Sequence, residues 1–79
     1  MLNRSQMNRA RGVVNSYILA LAESVRERDS AAAWCRIEQI DAMLDLLHNI
    51  DALDEKDRAA WRVAVDRHRE RLNTWKAEQ

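Results

Sequence analysis

A chain of 79 residues with 13 basic and 13 acidic side chains has no net charge, so nothing global draws it to nucleic acid or to an acidic membrane surface. One cysteine excludes an internal disulfide, and no apolar run approaches the ~20 residues needed to span a bilayer. One glycine, no proline and a single β-branched doublet, Val13-Val14, point to an all-α protein.

A chain this short forms one domain, here residues 1–79, and buries only about 60% of its unfolded surface. Oligomerisation is a common remedy for such marginal cores, and a homodimer is one expectation. The lone Cys35 fits a reducing cytoplasm. Arg4, Arg9 and Arg11 are not followed by a clean apolar stretch and a small-residue cleavage site, so no signal peptide is expected.

The first helix is expected over about residues 4–28. Asn3 suits the N-cap, Gln6 completes a capping box, and Leu2 and Met7 are spaced for a hydrophobic staple. Met7, Ala10, Val14, Tyr17, Ile18, Leu21 and Val25 form one apolar face. Gly12 interrupts that helix at a cost of about 1 kcal/mol; either the first turns fray and the stable helix begins near Val13, or, as favoured here, Gly12 permits close approach of another helix. Tyr17 is expected to border the core with its hydroxyl in water.

Arg26 to Ser30 is a polar break, with Asp29 or Ser30 able to cap a second helix over about 31–50. Neither glycine nor proline marks this break, so one long helix that dimerises is the alternative to a three-helix antiparallel bundle. The second helix has a wide apolar face: Ala33, Ile37, Ile40, Met43, Leu44, Leu46, Leu47 and Ile50. Its remaining arc holds Trp34, Glu38, Asp41, Asp45, His48 and Asn49. Trp34 beside that acidic ridge reads as an aromatic anchor for a partner, unless another segment of the chain covers it.

Asp54, or Asp51 one turn earlier, caps a third helix over about 54–77, and Leu53 folds back on the core. Trp61, Val65, His68, Leu72 and Trp75 make a narrow seam. Arg58, Arg62, Arg69 and Lys76 line one flank; Arg67 and Arg71 line the other. Helical spacing pairs Asp66 with Arg62 and Arg69, and Glu70 with Arg67. The core predicted from these faces is Val14, Ile18, Leu21, Val25, Ile37, Ile40, Leu44, Leu47, Trp61, Val65 and Leu72.

Charge is unevenly spread. Residues 1–28 carry five basic and two acidic side chains, for +3; residues 29–57 carry two and eight, for −6; residues 58–79 carry six and three, for +3. Antiparallel neighbours would pair the acidic middle with the basic ends.

No pattern points to chemistry. Asp45-x-x-His48 with Asp41 is a single copy facing away from the apolar side, so no metal is expected. Cys35 and the two histidines lack zinc-ligand spacing. No serine or cysteine has a recognisable base and oxyanion loop, so no enzyme activity and no cofactor are expected. His68 in the seam reads as a half-exposed histidine or a pH-sensitive interface position.

The expected function is therefore that of a small non-enzymatic protein-binding regulator, adaptor or inhibitor of bacterial or phage type. An anti-CRISPR-like inhibitor is one example of this physical type. Candidate interface residues are Trp34, Glu38, Asp41, Asp45 and Trp75. The first alternative is a nucleic-acid-binding regulator using Arg58, Arg62, Arg69 and Lys76, although Asp66 interrupts that stripe. The second is a self-associating helical bundle. A membrane-surface role is not expected, because the apolar side of the third helix is narrow and contains His68.

Overall fold

The computed structural model describes residues 3–50 and 53–78. Three helices follow one another: α1 (Arg4–Arg26), α2 (Ser30–Asn49) and α3 (Glu55–Glu78). They run up, down and up in a bundle with principal extents of 47 × 17 × 16 Å. α1 and α2 pack most intimately, and α3 lies across both. The long-helix alternative is excluded by the turn at residues 27–29.

Local chemistry sets each boundary. At the start of α1, Asn3 Oδ1 accepts the Gln6 N–H at 2.8 Å and Gln6 Oε1 accepts the Asn3 N–H at 3.0 Å. The Leu2 half of the expected staple lies outside the described residues. α1 ends in a Schellman motif: the Arg28 N–H donates to the Val25 carbonyl at 3.1 Å and the Asp29 N–H to the Ser24 carbonyl at 3.0 Å. Arg28 takes the left-handed position, φ 57°, where glycine is usual. Asp29 then opens α2 by accepting the Ala32 N–H at 3.1 Å. Asp54 opens α3, its Oδ1 accepting the Lys56 N–H at 2.9 Å and its carbonyl the Arg58 N–H at 3.0 Å. The alternative cap, Asp51, lies outside the described residues.

The core consists of Val14, Leu21, Val25, Ala33, Ile37, Ile40, Leu44, Trp61, Val65 and Leu72. Ile18 and Leu47, expected inside, are only half-buried against it, together with Tyr17, Trp34, Met43, Leu53 and Trp75. Both Ile18 and Leu47 lie at the edge of their helix's apolar stripe, where two neighbours leave a side chain partly open. Each buried aliphatic side chain contributes roughly 1.5–3 kcal/mol, so removal of any one would consume much of a small domain's stability.

One expectation fails. A Cβ added at Gly12 would meet nothing within 4 Å, so this glycine does not serve close helix packing. It sits on the outer surface of α1, exposed to solvent.

Candidate functional site

The polar contacts between helices show which charged side chains are left for other work. α2 and α3 are joined at Asp41. Its Oδ2 accepts Arg69 Nη2 at 2.7 Å and its Oδ1 accepts Arg62 Nη1 at 3.2 Å. Asp45 approaches Arg62 more loosely, at 4.0 Å. Asp66 keeps Arg69, at 3.3 Å, whereas Arg62 turns to α2. α1 and α3 are joined by Arg11–Asp57 at 3.0 Å and by the Trp61 indole N–H, which donates to Asn15 Oδ1 at 2.9 Å. His48 lies 3.7 Å from Glu55, within ion-pair reach when protonated.

The expected interface group is therefore divided. Asp41 is half-buried and spanned by two guanidinium groups. Trp34 and Trp75 are half-buried against the core, and Arg28 stacks on the Trp75 ring at 4.8 Å. Glu38 and Asp45 remain exposed. On the basic flank, Arg62 and Arg69 face Asp41, Arg58 lies 3.8 Å from Glu55, and Lys76 is exposed. The Arg58 Nε is buried without a hydrogen-bond partner among the described residues.

Another surface stands out for its apolar content. Among the described residues the exposed large apolar side chains are Leu19 (71%), Leu46 (61%), Val63 (51%), Ile50 (49%) and Val13 (48%), of which Leu46, Ile50 and Val13 fall on the α1–α2 side. Leu46 and Ile50 lie one turn apart on the same side of α2. Ile50 is nine residues beyond Asp41, about 180° around the helix, and so lies opposite the α3 contact. On α1, Asn15 and Arg11 mark the α3 side, whereas Tyr17, under the Arg36 guanidinium at 5.9 Å, marks the α2 side. Val13 is one turn before Tyr17 on that α2 side. An antiparallel hairpin turning at residues 27–29 sets Val13 level with Met43 and Tyr17 near Arg36, with Leu46 and Ile50 about one and two turns further along α2. The outer α1–α2 groove, on the side away from α3, thus carries Val13, Met43, Leu46 and Ile50 at successive levels.

No family model, curated protein or solved structure matches the chain.

Among the described residues, no three His, Cys, Asp or Glu side chains converge as metal ligands, and no helix is long and apolar enough to cross a membrane. Cys35 is a free, exposed thiol. His68 is half-buried, and burial followed by the nearby Arg71 guanidinium holds its pKa below the ordinary 6.5.

The sequence counted Leu46 and Ile50 in the apolar face of the second helix without separating them from the core residues. Their signal was the width of that face: a stripe over half the circumference exceeds what two neighbouring helices cover.

Proposed function

We propose that this protein is a small non-enzymatic binding protein, a regulator, adaptor or inhibitor, that takes an amphipathic helix of a partner protein into the α1–α2 groove. The observation that carries the reading is the apolar strip of Val13, Leu46 and Ile50, exposed beside half-buried Tyr17, Met43 and Leu47. A groove between two antiparallel helices accepts a further helix as the fourth member of a bundle, with apolar residues at i, i+3, i+4 and i+7 as anchors. Exposed residues of this size are unremarkable singly; a run of them in one groove marks an interaction surface.

The geometry favours this over nucleic-acid binding. Asp41 offsets Arg62 and Arg69, the central pair of the basic flank, and phosphate binding at those positions would first have to break their ion pairs. A second copy of the chain could use the same groove, and that is the reading the experiment must separate.

The test compares the wild-type chain with Leu46→Asp, an exposed change that should leave helical circular dichroism intact. Each serves as bait in a nuclease-treated lysate of the source cells, and each is weighed by light scattering across a dilution series. A protein recovered in stoichiometric amount by wild type and lost with Leu46→Asp supports the proposal. A concentration-dependent wild-type dimer that Leu46→Asp makes monomeric, with no other protein recovered, replaces it with self-association. Recovery indifferent to Leu46→Asp moves binding to another face, and recovery abolished by nuclease revives the basic flank.

A further inference from the structure

At the opposite side of α1 from this groove, the upper end of the α1–α3 interface opens into a cleft of about 540 Å³, within the range of small-molecule sites. Its walls include Arg26 from the end of α1, Arg28 from the turn, and His68, Arg71 and Trp75 from α3, with Val25 at the base. Among the described residues, no carboxylate lines it. Because α1 and α3 run parallel with Asn15 level with Trp61, the end of α1 lies beside the last two turns of α3 here. Their dipoles contribute together about one negative charge, and Glu23 holds Arg26 at 2.7 Å. Arg28 and Arg71 have no ion-pair partner among the described residues, so the cleft keeps a positive excess.

The two guanidinium groups are held differently. Arg28 is fixed by its place in the Schellman turn and by its stacking on Trp75 at 4.8 Å. Its left-handed backbone, φ 57°, is one that a residue bearing a Cβ adopts at a cost and that glycine adopts freely. Arg71 stands one helical turn before Trp75, and His68 three residues before Arg71, so all three point to one side of α3.

We propose that this cleft is a binding site for a small phosphate-type anion, held between the guanidinium groups of Arg28 and Arg71. A phosphate presents three oxygens. Two arginine forks and one imidazole N–H can engage them together, a demand that a two-oxygen carboxylate does not meet as fully. Trp75 and Val25 offer an apolar wall for an organic group esterified to the phosphate. The site shares no residue with the apolar groove, so it stands or falls separately from the proposed protein partner.

The experiment is a two-dimensional NMR titration of the whole chain, reading the Trp75 indole N–H, the His68 ring protons and the arginine Nε–H signals. The probes are inorganic pyrophosphate and adenosine monophosphate, each against sodium chloride at matched ionic strength. The expected result is a saturable change confined to the cleft. In Arg71→Gln and in Arg28→Gly the affinity should fall about tenfold or more, the loss of one charge-assisted contact. Arg28→Gly also relaxes the backbone at that position, so a folding defect does not explain its loss. In Arg9→Gln, an exposed arginine in the N-terminal half of α1, affinity should not change. Tighter binding of the nucleotide assigns an organic phosphate ester as ligand; tighter binding of pyrophosphate assigns free phosphate. Changes that never saturate, or that weaken equally in Arg9→Gln, mean general charge screening and overturn the site.

Discussion

Asp41 on α2 accepts Arg69 Nη2 on α3 at 2.7 Å, while its other oxygen accepts Arg62 at 3.2 Å. One carboxylate thus sets the position of α3 against α2. All three side chains are about a third exposed, so solvent screens the pairs. Asp41→Asn should lower unfolding free energy by about 1 kcal/mol, and a double-mutant cycle with Arg69→Gln should return a coupling of roughly 0.5 kcal/mol. Additive effects in urea denaturation would show that the contact adds no stability.

A second cross-link joins α3 to α1. The indole N–H of Trp61, a residue only 8% exposed, donates to Asn15 Oδ1 at 2.9 Å. Asn15 itself is exposed, so water can partly replace it. Asn15→Ala should therefore destabilise by about 1 kcal/mol and shift tryptophan emission, both read in one denaturation series. An unchanged midpoint would mean that water satisfies the indole as well as Asn15 does.

Gly12 offers a change in the other direction. It lies inside α1 with open space where a Cβ would go and without a positive φ. Gly12→Ala should raise stability by roughly 0.5–1 kcal/mol, because alanine loses less backbone freedom on folding. A fall in melting temperature would mean that this surface needs the missing side chain.

His68 makes stability depend on pH. Its folded pKa lies below the ordinary 6.5, first because burial disfavours the imidazolium and then because Arg71 repels it. The unfolded chain therefore binds more protons as pH falls below about 6.5, and folding weakens there. The contribution of neutral His68 is complete above that pH and is lost as pH falls through the folded pKa. Urea midpoints for wild type and His68→Gln, measured at about pH 7.5 and about pH 5.5, isolate it from the carboxylates. Wild type should lose more stability than the variant on acidification. An equal loss in both would remove His68 as the cause. Phosphate bound beside Arg71 should counter the effect by favouring the imidazolium.

Much of the architecture was readable in the chain. The three helices, the Asn3 capping box, the Asp29 cap and the seam through Trp61, Val65 and Leu72 all follow from periodicity and from side chains acting within a few residues of themselves. Such local rules need no knowledge of neighbours. They also explain the error at Gly12, where a missing Cβ says that close approach is allowed, not that anything approaches.

Partner choice belonged to the tertiary structure. Arg62 had Asp66 at helical spacing but reaches Asp41 on another helix, because a guanidinium at the α2–α3 boundary finds a half-buried carboxylate less screened than an exposed one. Arg28 and Arg71 are far apart in sequence and line one cleft only because α1 and α3 run parallel, with their carboxyl ends towards one end of the bundle. The two basic segments at +3 each were visible in the sequence, yet their meeting in one cleft depends on that parallel packing. The same is true of Leu46 and Ile50: composition marked them as apolar, and only the positions of α1 and α3 left them uncovered. The chain alone determined what each helix must bury; the packing decided which surfaces stayed open.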